Sequence, residues 1–354
     1  MTISTSRLHP HGAHRVLEPA GAMPQDAWRI DNTPVAAPNE LLCAVDVLNI
    51  DSASFKQIRE ACEGDPERIG AHVMQTVAQR GKQHNPVTGS GGMFVGRVLE
   101  IGEALRDKIV LRAGDRIASL VSLTLTPLHI ESVTRVDAVT GQVWVRAKAV
   151  LFESALWARL PADLDESVAL AVLDVAGAPA QVRRLCSPGD TVLVVGADGK
   201  SGLLSCAQAK LRVGETGRVI GIVPDGRTQS ARVLRDAGLV DELIVCDARD
   251  AVRASEAVAA VAPSLADVTV NCVNVCGTEL ASILSTRDGG TVYFFSMATS
   301  FTAAALGAEG VGRDVTMIIG NGYTKGHADT ALQTLRDHPH VHAHFNATFS
   351  RKTQ

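Results

Sequence analysis

The sequence predicts an α/β protein in which a mainly antiparallel, β-rich domain precedes a doubly wound parallel sheet. Three observations predict it. From Thr191 to Ser296, five short apolar strands alternate strictly with helices, a pattern that demands right-handed crossovers and parallel pairing. The first of those strands runs into a glycine loop that opens a helix. Residues 1–150 instead carry β-like runs separated by Gly, Pro, Asn and Asp, the residues that punctuate antiparallel sheets.

In the first region, Leu41–Ile50, Met93–Ile101, Arg116–Val121 and Gln142–Val150 read as strands, with helices near Ser54–Cys62 and Pro66–Arg80. The texture changes from Glu153. Glu166–Val175 and Pro179–Leu185 read as helices, and Cys186–Asp190 as a turn. Strand Thr191–Val195 leads into helix Ser201–Val213, which Gly214 can end as a left-handed cap. Strand Arg218–Val223 and helix Thr228–Ala237 follow, the latter stopped by Gly238. Strand Leu243–Cys246, helix Arg249–Val261, strand Asp267–Val273, helix Thr278–Ser285 and strand Thr291–Ser296 complete the run, with Val315–Ile319 as a sixth strand. The last stretch reads as helix Lys325–Asp337 and strand His340–Phe349 and is expected to pack back on the first domain, because the sheet is complete without it. The expected domains are therefore residues 1–155 with 322–354, and residues 156–321.

Composition narrows the function. At 354 residues the chain is long enough for two cores, and its 46% apolar and 20% charged residues describe a globular protein. Aromatics are only 4%, so the cores rest on Val, Leu, Ile and Ala, as in sheets covered by helices on both faces. A net charge of −4 with scattered basic residues provides no stripe for nucleic acid. No apolar run reaches the length of a membrane span, and the N-terminus lacks the apolar core of a secretory signal, so the cytoplasm is expected. Cysteines at 43, 62, 186, 206, 246, 272 and 276 form no C-x-x-C pair and read as free, buried thiols. His338, His340, His342 and His344 would share one face of a strand, but Pro339 favours an edge strand over a metal site.

The glycine loop carries the strongest functional signal. Gly196-Ala-Asp198-Gly199-Lys200-Ser201-Gly202 follows an apolar strand and opens a helix, the setting of a dinucleotide fingerprint. Gly196 permits the tight turn, Gly199 lets backbone N–H groups approach a diphosphate, and Gly202 brings helix and strand together. The phosphates then lie at the positive end of the helix. A phosphate loop of the nucleotide-hydrolase type is disfavoured, because Lys200-Ser201 follows Gly199 directly and the loop is too short. The acidic residue that usually closes the second strand is replaced by Val223. Asp225 could reach the ribose hydroxyls and Arg227 a 2′-phosphate, or both could belong to a solvated turn, so NAD and NADP both stay open, with NAD and dual use favoured. Ser296, after the fifth strand, and Asn321 are expected to line the cofactor cleft.

Gly92-Met-Phe-Val-Gly96-Arg-Val-Leu-Glu-Ile-Gly102 and Arg112-Ala-Gly-Asp115-Arg116-Ile resemble signatures of the medium-chain dehydrogenase/reductase superfamily, over nearly the whole chain. That resemblance implies a Rossmann domain after a chaperonin-10-like catalytic domain, and a homodimer or homotetramer formed through the Rossmann sheet edge. The chain departs from the zinc alcohol dehydrogenases: no Cys stands near Asp51 or Ser52, no His-Glu pair near Ser90-Gly91, and the four-cysteine lobe is missing. No metal is therefore expected. Four further strings, Asn49–Ile58, Gly81–Met93, Leu173–Pro179 and Ile319–Tyr323, are together similar to the 3,5-diaminohexanoate dehydrogenase family of bacterial lysine fermentation. This implies NAD(P)-dependent oxidative deamination of a small diamino acid.

Such a reaction needs a group that takes a proton from the amine, whose ammonium form titrates near about 10.4. Asp174 is the first candidate. It sits in an apolar helical run, where an unpaired buried carboxylate is costly, and the resemblance puts it beside the nicotinamide pocket; the alternative is a salt-bridged helix residue or a cap. Asp51 stands where zinc enzymes keep a metal ligand and can hold an ammonium group, or simply cap the helix after it. His84 and Asn85 lie on the approach to Gly89–Gly92 and can orient substrate or shuttle a proton, with Ser90 lining the same stretch. Lys56 can pair with the substrate carboxylate, or be an exposed helix charge. Two other readings stay open at this stage: a zinc-free quinone or enoyl reductase, and a dinucleotide-binding sensor that does no chemistry.

Overall fold

A computed structural model describes residues 8–85, 91–138, 140–320 and 322–350, so Ser90 and Asn321 lie outside the described residues. The chain divides into two units, residues 1–160 and 161–354.

The first unit contains β1 (Val16–Glu18), β2 (Arg29–Ile30), β3 (Glu40–Asn49), α1 (Ser52–Ala61), α2 (Pro66–Arg80), β4 (Met93–Ile101), β5 (Arg116–Ser119), β6 (Leu128–Asp137), β7 (Gln142–Phe152) and β8 (Trp157–Arg159). A six-stranded antiparallel sheet runs β6-β7-β3-β4-β5-β8. Alternation in β7 turns Val143, Val145, Ala147 and Ala149 inward, onto a core shared with Leu41, Cys43, Val45, Phe94 and Ile117. Asp65 caps α2 through the amides of Glu67 and Arg68, and Pro66 occupies its first turn. Ile69, Val73 and Val77, one helical turn apart, are buried as α2 packs on β6. Gly81 ends the helix with φ +73°, and a Cβ there would stand 2.1 Å from the Ile30 carbonyl oxygen.

One buried ion pair fastens the start of this unit. Glu40 is wholly buried and accepts from Arg15 through both carboxylate oxygens, at 2.8 and 2.6 Å, and from His14 Nε2 at 2.9 Å. The remaining guanidinium donors reach the carbonyls of Asp31, Thr33 and Val35. Burial pushes the Glu40 carboxyl up, but Arg15, His14 and the Ala37 amide outweigh it and hold it at about 2.

The second unit contains α3 (Glu166–Leu173), α4 (Gly177–Leu185), β9 (Thr191–Val195), α5 (Lys200–Val213), β10 (Arg218–Val223), α6 (Gln229–Asp236), β11 (Glu242–Val245), α7 (Ala251–Val261), β12 (Ala266–Asn271), α8 (Glu279–Leu284), β13 (Thr286–Phe294), α9 (Phe301–Gly310), β14 (Val315–Ile319), α10 (His327–Asp337) and α11 (Pro339–Phe349). Its sheet is parallel throughout, in the order β11-β10-β9-β12-β13-β14. The strand order reverses beside β9, whose Val195 is in register with Ile222 on one side and Asn271 on the other. The fold class is the one the alternation predicts.

Several local expectations give way. His340–Phe349 is helical, not extended: Pro339 occupies the first turn of α11, and Val341 and Phe345 are buried one turn apart. That four-residue apolar spacing outweighs the two-residue alternation of histidines. The structure also places α10 and α11 against α3, α4, α5 and α6 of the second unit, where the first domain was expected. Leu332 and Leu335 are buried there, Thr334 donates to Gln208 at 2.8 Å, and Arg336 grips Asp163. These contacts join residues far apart in sequence, which local pattern cannot reveal. Gly214 has φ +67° but ψ −160°, outside the left-handed cap geometry, because the chain leaves α5 extended. The cysteines form no disulfide, and Cys276 is exposed while the other six are buried.

Candidate active site

The glycine loop leaves the carboxyl end of β9, at the point where the strand order reverses and where open α/β sheets bind ligands. Gly196 turns the chain with φ +78°, and its amide and that of Ala197 both donate to the Ile222 carbonyl. A Cβ on Gly202 would lie 2.1 Å from the Gly196 oxygen, so the fold itself requires that glycine. Gly199 differs. Its φ of −80° and ψ of 170° suit any residue, it is exposed, and the nearest atom to a Cβ would be 3.7 Å away. Neither backbone nor packing asks for glycine there, which leaves the space in front of it open to a ligand. The helix that follows has no side-chain cap, so its first-turn amides and positive end suit an anion. A dinucleotide diphosphate fits this cradle. Burial, and then the charge of Asp225, push the neighbouring Asp198 carboxyl up, against its hydrogen bond with Thr228.

At the end of β10, Asp225 and Arg227 are bound to each other. Asp225 accepts the Arg227 amide at 2.9 Å and its guanidinium at 3.0 and 3.3 Å, and these bonds lower its pKa. Arg235 donates to the Gly226 carbonyl at 2.7 Å. Together with Pro224 and Val245 these residues line an open depression of about 690 Å³.

Asp174 is salt-bridged at a helix end, the alternative that stood beside its reading as a base. It stands at the C-cap of α3, where the side chain leaves the apolar helix, and accepts from Lys200 Nζ at 2.6 Å with both groups about one-third exposed. Lys200, the first residue of α5, also lies 5.8 Å from the Phe349 ring. Ser296 is buried beyond β13, donates to Asn274 at 3.0 Å and accepts the Ala298 amide. Close by in sequence, Glu279 takes the amide of Gly277 with one oxygen and that of Ser300 with the other, at 3.1 and 2.7 Å. It thereby ties the loop after β12 to the loop after β13.

In the first unit, Asp51 caps α1 by accepting the Ser54 amide at 3.0 Å through Oδ1, while its Oδ2 is buried with no hydrogen-bond partner among the described residues. His84 Nδ1 meets Thr124 Oγ1 at 2.8 Å. Burial, with the charges of Arg80 and Lys82 behind it, pushes the His84 imidazole down to about 4, so the ring is neutral at physiological pH. Asn85 donates to Gln57 at 3.1 Å. Lys56 does not join this group; it lies on the exposed face of α1, 3.8 Å from Glu60. Three residues here escaped the sequence reading. Lys82 is fully buried, donates to the carbonyls of Pro24 and Gln25, and is pushed down to about 8 by burial. Gln83 is buried with an unpartnered Oε1, and Thr124 orients His84. The available signal was adjacency, since Lys82 and Gln83 sit in the same string as His84 and Asn85. Among the described residues, no three His, Cys, Asp or Glu side chains gather as a metal site.

Comparison with known proteins agrees with this architecture. The sequence profile of the L-erythro-3,5-diaminohexanoate dehydrogenase N-terminal domain matches residues 14–161. An L-erythro-3,5-diaminohexanoate dehydrogenase of Acetoanaerobium sticklandii is 52% identical over 340 residues, covering 96% of this chain and 98% of the relative. One of Fusobacterium nucleatum is 47% identical over 340 residues with the same coverage. Among solved structures, a mycobacterial quinone oxidoreductase superposes with a TM-score of 0.53 at 19% identity, over 92% of this chain and 86% of that one. A mycobacterial protein complexed with NADPH gives 0.53 at 17% identity, over 91% and 84%. These two structural likenesses show the shared fold.

Proposed function

The chain belongs to the L-erythro-3,5-diaminohexanoate dehydrogenase family, and from that premise we propose that, with NAD(P)+ and one water, it oxidatively deaminates (3S,5S)-3,5-diaminohexanoate to (5S)-5-amino-3-oxohexanoate, the water supplying the ketone oxygen and ammonium and NAD(P)H leaving, as a cytoplasmic step of lysine fermentation. The observation that carries this reading is the kinship at 52% identity over 96% of the chain, joined to a loop whose Gly199 leaves room for a diphosphate. Bound NAD or NADP supplies the hydride acceptor.

The chain's own residues supply the rest. The first-turn amides of α5, Lys200 and Ser201 among them, hold the coenzyme diphosphate, with Asp198 beside them and Gly196 and Gly202 shaping the turn. Asp174, its Oδ2 already anchored by Lys200, is the group we assign to take the amine proton. In the first unit, Asp51 offers a carboxylate oxygen to an ammonium group. His84, neutral and oriented by Thr124, orients substrate or relays a proton. Incubation with NAD+ and the diamino acid should give reduced coenzyme and ammonia in equal amounts. Reduction without ammonia would indicate an alcohol or enoyl substrate, and coenzyme binding without turnover a sensor. Asp174→Asn should lower kcat by about 10²–10⁴-fold, far more than it alters coenzyme affinity through the released Lys200; survival of turnover would remove Asp174 from the role.

Coenzyme choice rests on Asp225 and Arg227 in this reading. Because Asp225 occupies the guanidinium, a 2′-phosphate must compete for it. Asp225→Ser should free Arg227 and shift the preference towards NADP by about tenfold, equivalent to about 1.4 kcal/mol. An unchanged NADP/NAD ratio in kcat/KM would place selectivity elsewhere. Assembly as a homodimer or homotetramer is supported by β14, a half-buried apolar edge strand, and by exposed Met297, Phe301 and Leu306. Among the described residues no helix is long and apolar enough to cross a membrane.

A further inference from the structure

Among the described residues of the first unit, three side-chain oxygens stand buried without a donor: Asn39 Oδ1, Asp51 Oδ2 and Gln83 Oε1. Asn39 stands at the opposite end of β3 from Asp51, whereas Asp51 and Gln83 belong to neighbouring stretches of chain. A Cβ on Gly91 would lie 2.7 Å from the Gln83 carbonyl oxygen, and one on the adjacent Gly92 would lie 2.7 Å from the Asp51 amide nitrogen. The two glycines thus run between the backbones that carry these acceptors. A buried acceptor left unpaired destabilises the fold, and a carboxylate oxygen more than an amide. Asp51 takes part in no ion pair among the described residues, and the nearby lysines are engaged elsewhere. Lys82 is turned to the Pro24 and Gln25 carbonyls, and Lys56 faces solvent beside Glu60. His84, next to Gln83 in the chain, is neutral and adds no competing charge. What the pair lacks is a cation that only donates hydrogen bonds, which is the definition of an alkylammonium group.

We infer that Asp51 Oδ2 and Gln83 Oε1 form the seat for the non-reacting C5 ammonium group of the substrate, an inference that rests on the diamino-acid reading above. The choice between the two amines follows from their chemistry. The C3 nitrogen must be uncharged before hydride can leave its carbon, whereas a carboxylate with an amide carbonyl stabilises the charged form. Such a seat would hinder the reaction if it held the C3 amine and assists it by anchoring the other. Gln83 is then a specificity-determining residue with no part in the proton transfer.

The test compares 3,5-diaminohexanoate with 3-aminohexanoate, which lacks only the C5 amino group, as substrate or, where it is not turned over, as competitive inhibitor. Gln83→Leu should weaken the diamino acid ten- to a hundredfold, mainly through KM, and leave the binding of 3-aminohexanoate and of coenzyme unchanged. Gln83→Glu, which keeps an acceptor at the same reach, should retain the preference for the diamino acid. An equal loss for both compounds in Gln83→Leu, or no loss for either, overturns the assignment. So does loss of the preference in a folded Gln83→Glu variant. Failure of the underlying reading looks different: the unaltered enzyme would then release no ammonia from the diamino acid at all.

Discussion

Gly199→Asp should abolish coenzyme binding while leaving the protein folded. The position has ordinary dihedral angles and its nearest neighbour would be 3.7 Å from a new Cβ, so the substitution introduces no clash. Gly199 is the N-cap of α5, and aspartate is among the preferred residues at that position, where its charge also meets the positive end of the helix. Stability should therefore change by less than about 1 kcal/mol, the usual scale of a cap. The same carboxylate would occupy the place of the diphosphate and repel it. A loss of at least about 100-fold in affinity for both NAD+ and NADP+ is expected, equivalent to about 2.7 kcal/mol. Gly202→Ala provides the contrast. Its Cβ would stand 2.1 Å from the Gly196 oxygen and 2.7 Å from the Ala197 backbone, so it should lower the melting temperature as well as the affinity. Calorimetric titration and thermal melting of both variants read the two effects separately. Coenzyme binding by a folded Gly199→Asp protein at undiminished affinity would remove the diphosphate from this loop.

Glu40→Gln should be the most damaging single change to the stability of the first unit. It leaves the buried Arg15 guanidinium without its counter-charge, a situation that costs about 3–5 kcal/mol when a buried pair is broken from one side. The pH dependence carries the signature. The native carboxyl is held at about 2 against an ordinary 4.5, so its contribution is complete above 4.5 and is lost as pH falls from there towards 2. That shift corresponds to about 3 kcal/mol. His84 acts in a separate window. With its native imidazole at about 4 against 6.5, the unfolded chain takes up the proton first, so stability is present above 6.5 and declines as pH falls to 4. Denaturant melts across this range should show both declines in the unaltered protein and only the upper one in Glu40→Gln. If the lower decline persists, another carboxylate is responsible.

The parallel sheet was legible because each strand is a short apolar run and each return is a helix, a pattern set locally and repeated. The glycine loop was legible for the same reason, although only the fold separates Gly202, demanded by packing, from Gly199, which is not. Strand β6 escaped because register shifts at Ile130–Ser132 and Val133–Arg135 break the alternation that would have marked it. Helix α9 escaped because its two glycines lower helix propensity and its apolar residues are not gathered on one face. The site was less readable than the fold. The pairing of Asp174 with Lys200 spans 26 residues, and the missing donor at Gln83 is a property of burial, invisible in a string of letters.

Glu279 has a consequence for how the loops after β12 and β13 can vary. Because one carboxylate clamps Gly277 and Ser300, the segments after β12 and β13 form a single mechanical body. Lengthening either one would drag the other out of place. Variants with altered segments here should therefore arise as coordinated double changes, and grafting one loop alone from a distant homologue should fail where grafting both succeeds.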